Sequence, residues 1–264
     1  MSGQERIRAA VPARERPALL PFLTAGLPTP AVSADLFAAM ADAGADGFEV
    51  GIPYSDPLMD GPVIMRGSEA ALAAGTTARV ALSIVEEVAT RTARPVLAMT
   101  YANPVMQTGW DGYAASLAGA GAAGLIVPDL PLEESEPLRN ACLVTGIGLV
   151  QFVSPTSDPG RIRAVAAVDP AFIYGVSDLG VTGERATVSS HVAALSERVR
   201  QETGIPLVLG VGISTPAQAT AVASLADGVI VGTALVRRVL EAVSPAAAAR
   251  ALHQAVADLI AALR

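Results

Sequence analysis

The 264-residue chain contains no lysine, only two histidines and a single cysteine, Cys142. Without lysine it cannot form a Schiff base with a carbonyl substrate or hold pyridoxal phosphate covalently. Two histidines are too few for a zinc site that uses three. One cysteine cannot form a disulfide within the chain, and we interpret Cys142 as a core residue. We therefore expect neither a metal nor a cofactor held by this chain.

Charged side chains are also scarce, at 16% of residues, and they leave a net charge of −7. A disordered chain carries more charge, and an acidic chain repels nucleic-acid backbones, so nucleic acid is not an expected partner. No apolar run reaches the roughly 18 residues of a membrane span, and the N-terminus lacks the apolar region of a signal peptide. We expect a cytoplasmic protein with a sizeable core.

Short apolar runs recur along the chain, each followed by a helical stretch. Solid apolar runs are typical of parallel strands buried on both faces. Eight such units predict an α/β fold with one domain over residues 1–264, a (β/α)₈ TIM barrel. An open doubly wound sheet is the alternative, but no GxGxxG turn follows the first strand. The predicted strands are Leu19–Thr24, Gly47–Gly51, Pro95–Thr100, Gly124–Val127, Gly148–Phe152, Ala171–Val176, Pro206–Gly210 and Gly228–Val231.

Helix starts fit the same alternation. A short helix before the first strand is expected to cover the N-terminal end of the barrel. Three N-cap residues stand directly before a proline, which favours the first helical position, and two aspartates are predicted caps for other helices. These caps are Thr29, Thr215 and Ser244 before prolines, and Asp111 and Asp158.

Carboxylates follow the second predicted strand, at the end of the barrel where such enzymes place their sites. Glu49 lies inside this apolar strand, and we expect it to point into the barrel because a carboxylate facing the helix layer would be costly. Burial there would raise its pKa, which suits a proton shuttle. Pairing with an arginine is the structural alternative. Asp56 and Asp60 in the next loop each fit a turn former, but with Glu49 they form a candidate acid–base pair.

Glycines follow the last two predicted strands, including Gly212 and Gly232, and Thr233 then enters a helix. Backbone N–H groups at such turns, with a helix N-terminus beyond them, favour an anion, and barrels commonly bind phosphate there. These glycines could also be ordinary turn residues. From the residues alone, the sequence predicts a barrel enzyme that acts on a small phosphorylated molecule with carboxylate acid–base groups. The substrate stays open.

Longer motifs resemble one family. The stretch Phe48–Ile64, FEVGIPYSDPLMDGPVI, is similar to the signature of the tryptophan synthase alpha chain family. That family has a glutamate on the second strand and an aspartate eleven residues later, here Glu49 and Asp60. Further similar motifs follow in the same order along almost the whole chain. They are Leu20–Phe22, Met99–Pro104, Val127–Pro131 with Glu133–Ser135, Gly180–Gly183 and Asp227–Gly232.

The resemblance implies a lyase that cleaves indole-3-glycerol phosphate to indole and glyceraldehyde 3-phosphate by retro-aldol chemistry. The indole ring is the electron sink once its C3 is protonated, so neither a Schiff base nor a metal is needed. Glu49 would give that proton and accept one from the glycerol hydroxyl, while ionised Asp60 would accept the indole N–H. A β subunit would dock in an α₂β₂ assembly, with Pro53–Pro57 and Pro131 at the interface.

The resemblance also implies a set of substrate-binding residues. Thr182 would hydrogen-bond Asp56 or Asp60 when its loop closes over the site. The other residues fit ordinary core or turn positions equally well. The indole pocket would be lined by Phe22, Ile64, Met99, Tyr101, Ile126 and Tyr174, and the phosphate would lie on the amides of Gly183, Gly212, Gly232 and Thr233.

Departures from the family pattern at Leu27, Asp178, Leu179 and Val211 leave room for other functions. The chain could be a stand-alone lyase of a secondary pathway. It could also be a weakly catalytic α-like protein that activates a β subunit by binding, although the intact Glu49 and Asp60 argue against this. A phosphosugar isomerase on the same fold is a third alternative, but the sequence offers no histidine or lysine base at a strand end.

Overall fold

Nine parallel strands form one sheet in the computed structural model, which describes residues 1–11, 15–176, 190–210 and 212–264. Neighbouring strands follow the order β5-β4-β3-β2-β1-β9-β8-β7-β6. The strands are β1 Ala18–Thr24, β2 Phe48–Gly51, β3 Val96–Met99, β4 Gly124–Ile126, β5 Gly148–Leu149, β6 Gln151–Val153, β7 Ile173–Val176, β8 Leu207–Gly210 and β9 Gly228–Val231.

The fifth predicted strand is broken at Val150 into β5 and β6. β5 pairs with β4, whereas β6 pairs with β7. Hydrogen bonds bridge the break, because the Val150 N–H donates to the Leu125 carbonyl at 3.1 Å and the Ala171 N–H donates to the Leu149 carbonyl at 2.9 Å. Strands in a barrel are staggered, so the start of one strand and its end meet different neighbours. The two halves therefore close the ring, and the predicted (β/α)₈ barrel is confirmed.

Helices alternate with these strands along the chain and form the outer layer. A short 3₁₀ helix, Leu132–Glu134, lies in the connection between β4 and β5. Within the described residues the α-helices are α1 Gly3–Ala10, α2 Pro30–Asp42, α3 Pro62–Ala73, α4 Ala78–Thr92, α5 Ala102–Thr108, α6 Trp110–Gly119, α7 Glu136–Thr145, α8 Pro159–Ala167, α9 Ser190–Glu202, α10 Pro216–Ala223, α11 Thr233–Glu241 and α12 Pro245–Leu263.

The predicted helix caps are confirmed with one exception. Asp111 was a wrong prediction, because it lies in the first turn of α6 and the N-cap is Gly109. Gly109 has a φ of 86°, a left-handed conformation that favours glycine over aspartate. Side chains of the caps Asp158, Thr215 and Ser244 accept a backbone N–H from their helices, and Thr29 begins α2 without such a bond.

The N-terminal helix α1 covers the end of the barrel at which β4 and β5 begin. Its Ile7 is fully buried. The Ile7 Cδ1 atom lies so near Gly124 and Gly148 that a Cβ on them would be 2.7 and 3.1 Å away. These two glycines are the first residues of β4 and β5. The expected cover at this end is confirmed. The carboxyl ends of the strands form the opposite end of the barrel, which we call the mouth, and the loop with Asp60 follows β2 there.

By length and mean hydropathy alone, the last helix α12 could cross a membrane. This differs from the expectation that no segment of the chain is long and apolar enough for a membrane span. In the structure α12 packs against α2, α10 and α11. One face of the helix, including Leu252, Val256 and Leu259, is buried in these contacts. The apolar composition of α12 is therefore that of an outer barrel helix packed on its neighbours.

Candidate active site

Glu49 is the second residue of β2, where it lies beside Phe22 of β1 and Leu97 of β3. The side chain points into the barrel as predicted and is only 1% exposed. Burial, and after it the nearby negative charge of Asp60, raise its pKa from 4.5 to about 8. The Oε2 atom has no hydrogen-bond partner among the described residues, and no described arginine forms an ion pair with it. Glu49 is therefore a protonated carboxylic acid at neutral pH.

The raised pKa of Glu49 makes stability depend on pH in a defined direction. Between pH 4.5 and about 8 the folded state holds a proton that the unfolded state has lost, so the free energy of unfolding falls as the pH rises. At about 1.4 kcal/mol per pKa unit, the total loss reaches several kcal/mol. Glutamine does not titrate, so Glu49→Gln should gain stability relative to the wild type across this window. Denaturant unfolding at pH 5 and pH 8.5 measures the change.

Exposed Glu69 on α3 provides the control for this measurement. Glu69→Gln should keep a constant stability difference from the wild type at the two pH values. A difference between Glu49→Gln and the wild type that does not change with pH would contradict a proton held on Glu49.

Asp60 lies two residues before α3, and its side chain is 9% exposed. The Tyr101 hydroxyl hydrogen-bonds its carboxylate and accepts the Met59 N–H at 3.2 Å. Burial raises the pKa of Asp60, while the hydrogen bond from Tyr101 lowers it. By contrast, Asp56 in the same loop is exposed and accepts the Ser55 hydroxyl at 2.5 Å. Of the two aspartates singled out in the sequence, the structure brings only Asp60 close to Glu49.

The segment that carries Tyr101 is held by contacts that were not predicted from the sequence. Asp129 Oδ1, in the loop after β4, accepts the Ala102 N–H at 2.8 Å at the start of α5. Asn103 Nδ2 donates to the Tyr54 hydroxyl at 2.9 Å. The rings of Tyr54 and Tyr101 lie 5.6 Å apart, centroid to centroid. The resemblance implies only a pocket-lining role for Tyr101, yet the motif from Met99 to Pro104 also positions its hydroxyl on Asp60.

Phe22 lies near the end of β1 between two glycines of the neighbouring strands. A Cβ on Gly51 of β2 would lie 2.6 Å from its Cζ, and one on Gly232 after β9 would lie 3.2 Å from its Cδ1. The missing side chains make room for the ring. A Cβ on Gly51 would overlap the Phe22 ring and one on Gly232 would make a tight contact with it, so both glycines help to hold the ring beside Glu49 in the sheet register.

Tyr174 of β7 lies against β8 and near Phe152 of β6, with ring centroids 5.0 Å apart. Burial raises the pKa of Tyr174 well above its usual value, and the charge that Glu49 carries once it is ionised raises that pKa further, so Tyr174 stays a neutral phenol. A Cβ on Gly210 would overlap its ring and hydroxyl, reaching 2.6 Å from Cζ. Gly210 therefore sets the position of Tyr174 relative to Glu49.

Gly210→Ala should displace the Tyr174 ring toward the inside of the barrel, because the added methyl group takes its place. A shift of about 1 Å in a site can cost up to 100-fold in rate, and we expect about a tenfold fall in kcat/KM for the reaction assigned below. Steady-state kinetics measures this. Gly119→Ala is the control, since a Cβ at Gly119 meets nothing within 4 Å. Equal kcat/KM for both variants would contradict the role of Gly210.

The remaining predicted pocket residues lie near the mouth, except those outside the described residues. Ile64, in the first turn of α3, and Ile126, at the end of β4, are buried, and Met99 ends β3 half-buried. Leu27, a departure from the family pattern, is buried in the loop after β1. The predictions for Thr182 and Gly183, and the departures Asp178, Leu179 and Val211, lie outside the described residues.

Glycine turns and helix N-termini adjoin at the ends of β8 and β9. Gly212 has a φ of 70°, which favours glycine, and α10 begins four residues later. Gly232 is the N-cap of α11, and its carbonyl accepts the N–H groups of Leu235 and Val236. The first N–H groups of a helix, here including that of Thr233, have no partner within the helix. Such groups can hold an oxyanion. Within the described ranges, no cluster of three or more potential metal ligands occurs.

Comparison with known proteins gives one consistent result. The sequence model of the family described as tryptophan synthase alpha chain matches residues 9–263. A tryptophan synthase alpha chain of Chloroflexus aurantiacus is 45% identical over 91% of this chain and 89% of its own length. That of Thermobifida fusca is 43% identical over 100% of this chain and 98% of its own.

Solved structures agree with the sequence comparison. A chain of Mycobacterium tuberculosis tryptophan synthase superposes with a TM-score of 0.87 at 37% identity and covers 99% of this chain and 96% of that one. The alpha subunit of Legionella pneumophila tryptophan synthase gives a TM-score of 0.86 at 32% identity and covers 100% and 98%. The likeness extends over the whole barrel.

Proposed function

The chain belongs to the tryptophan synthase alpha chain family, and we propose that Glu49 and Asp60 carry out its reaction. The enzyme is a lyase that cleaves indole-3-glycerol phosphate to indole and glyceraldehyde 3-phosphate in tryptophan biosynthesis. The observation that carries the assignment of residues is the pair of buried carboxylates at the mouth. Glu49 has a pKa of about 8, and Asp60 receives a hydrogen bond from Tyr101.

Glu49 begins the reaction as an acid. It donates its proton to C3 of the indole ring, and the ring nitrogen takes up the positive charge. The resulting Glu49 carboxylate then accepts the proton of the glycerol hydroxyl next to the ring. The carbon–carbon bond breaks, its electron pair returns to the ring, and the hydroxyl carbon becomes the aldehyde. Glu49 ends protonated, so one residue serves both transfers, and a pKa of about 8 suits both at neutral pH.

Asp60 acts as the anion that balances the charge on the ring nitrogen. As a carboxylate it accepts the indole N–H, and this interaction strengthens as the nitrogen becomes positive. Burial works against ionisation of Asp60, and the Tyr101 hydroxyl works for it. We assign the ionised state to Asp60 because its role requires a negative charge, and the protonated state to Glu49, whose pKa is raised to about 8.

The substrate lies between these carboxylates and the glycine turns on the other side of the mouth. Phe22, Ile64, Tyr101 and Tyr174 contact the indole ring. The phosphate accepts backbone N–H groups of Gly183, Gly212, Gly232 and Thr233. Thr182 hydrogen-bonds Asp56 or Asp60 when the site closes. The chain has no lysine that could bind the phosphate, and the N-terminus of α11 at the end of β9, which has no side-chain cap, supports the assignment.

The partner is the β subunit of tryptophan synthase, in an α₂β₂ assembly. Apolar side chains are exposed at the mouth, including Leu58 at 76% and Met106 at 59%. Exposed apolar residues grouped around a site favour a protein partner. The loop Pro53–Pro57 and Pro131 adjoin them on the same side of the barrel. The whole chain works as one domain, and we place it in the cytoplasm because its family consists of biosynthetic enzymes.

A stand-alone lyase is the second candidate function, and it differs only in how the rate responds to the partner. The test is indole release from indole-3-glycerol phosphate by the purified chain, with and without a β subunit. Slow turnover alone and a large rise with β would establish the α subunit. Fast turnover without any response to β would identify a stand-alone lyase. No indole under either condition would overturn the substrate assignment.

A further inference from the structure

The loop that carries Asp60 is joined to the start of α5 by two tyrosines. Tyr101, directly before α5, reaches back to this loop, where its hydroxyl accepts the Met59 N–H and donates to Asp60. Tyr54, six residues before Asp60, reaches forward to α5, where its hydroxyl accepts a hydrogen bond from Asn103 at 2.9 Å. The two contacts run in opposite directions, with one tyrosine in the loop and the other directly before α5.

Tyr54 and Tyr101 also touch each other. Their rings lie 5.6 Å apart with 33° between their planes, close to a stacked arrangement. Tyr101 is buried whereas Tyr54 is only half-buried. The Tyr101 ring therefore has Tyr54 on one side and has its hydroxyl fixed by Met59 and Asp60. A change in the angle of the Tyr54 ring would be passed on to Tyr101.

We propose that Tyr54 is a positioning residue, whose hydrogen bond with Asn103 holds its ring against Tyr101 and so keeps the Tyr101 hydroxyl on Asp60. This inference rests on the proposed function, because Asp60 matters as an ionised group only in that reaction. Tyr54 itself stays outside the substrate pocket and acts through Tyr101.

The charges around Asp60 give the direction of the expected effect. Glu49 faces it from β2 and Tyr101 from the start of α5, while Asp129 in the loop after β4 acts on Tyr101. In the described residues, the Tyr101 hydrogen bond is what lowers the pKa of Asp60 against burial. If that bond is misaligned, the pKa of Asp60 rises. The acid limb of the activity profile then moves to higher pH, because the reaction needs Asp60 ionised.

Tyr54→Phe removes the hydroxyl and keeps the ring, and it is measured in the full chain. We expect kcat to fall about two- to tenfold, the effect of one hydrogen bond, with KM nearly unchanged. The acid limb of kcat should move up by a few tenths of a pH unit. Thr108→Val is the matched control, since it removes the 3.0 Å bond from Thr108 to the Pro104 carbonyl within the same helix. It should change neither kcat nor the pH profile.

Testing Tyr54→Phe in a second variant distinguishes a positioning role of Tyr54 from a general loss of stability. Tyr101→Phe removes the hydrogen bond to Asp60 directly. In that background Tyr54→Phe should have no further effect on kcat, because the two substitutions act through one bond. Asn103→Ala should reproduce the effect of Tyr54→Phe. Additive losses in the Tyr54→Phe/Tyr101→Phe double variant would overturn the proposal.

A readout without turnover keeps this test apart from the proposed function. The carboxyl ¹³C resonance of Asp60, assigned with Asp60→Asn in aspartate-labelled full chain, reports its titration directly. Tyr54→Phe should raise the pKa of Asp60, and an unchanged titration would refute the positioning role. If the wild type released no indole while this pKa still moved, the proposed function would fail and the contact between Tyr54 and Asp60 would stand.

Discussion

Replacing Glu49 by glutamine is expected to lower the rate of indole release by about 10⁴-fold, the upper end of the range for a general acid–base group. The loss is large because one residue serves both proton transfers, and an amide can neither donate to C3 nor accept the hydroxyl proton. Glutamine matches glutamate in size and is uncharged, which suits a position that is only 1% exposed, so the fold should persist. Single-turnover measurement of indole release checks this.

Glu69→Gln is the matched control for this prediction, because it makes the same chemical change at an exposed position of α3. It should retain the wild-type rate. Residual activity of Glu49→Gln within tenfold of the wild type would mean that another group transfers the proton, and the assignment of Glu49 would be wrong.

Asp60→Asn should lower kcat by about 10²- to 10³-fold, as expected when one charge-stabilising group is removed from an active site. The loss is smaller than for Glu49→Gln because the amide oxygen can still accept the indole N–H, although it cannot balance the positive charge. The effect should fall mainly on kcat, since the charge develops only after C3 is protonated.

The control for Asp60→Asn is Asp111→Asn, on the exposed first turn of α6. It should behave as the wild type. A variant Asp60→Asn with unchanged kcat and a raised KM would show that Asp60 binds the ground state only, which contradicts its assigned role in the transition state.

The barrel could be predicted from sequence because its signal is local. Eight apolar runs of strand length, separated by helices with proline starts, leave few other folds for a chain of this size. The break at Val150 could not be predicted, because it depends on the stagger between β4 and β7, which lie on opposite sides of the fifth strand. The cap at Gly109 was missed because a left-handed φ is a property of the local turn and not of the aspartate two residues later.

The site could be predicted from the sequence in part. The burial of Glu49 follows from its apolar neighbours in β2, and the structure agrees. Asp56 and Asp60 could not be separated, since both stand among prolines in one loop. The structure separates them because Tyr101, 41 positions beyond Asp60, reaches only one of them. A hydrogen bond between two distant segments cannot be predicted from the composition of either segment.

Because α1 covers one end of the barrel, it restricts the route by which small molecules reach the site and leave it. The barrel interior is packed with side chains and is not a pore, so the mouth is the route by which substrate enters and both products leave. Indole and glyceraldehyde 3-phosphate must share this exit with the incoming substrate. A β subunit docked over the mouth would therefore decide which product departs to solvent and which is passed on, and it would do so without touching Glu49.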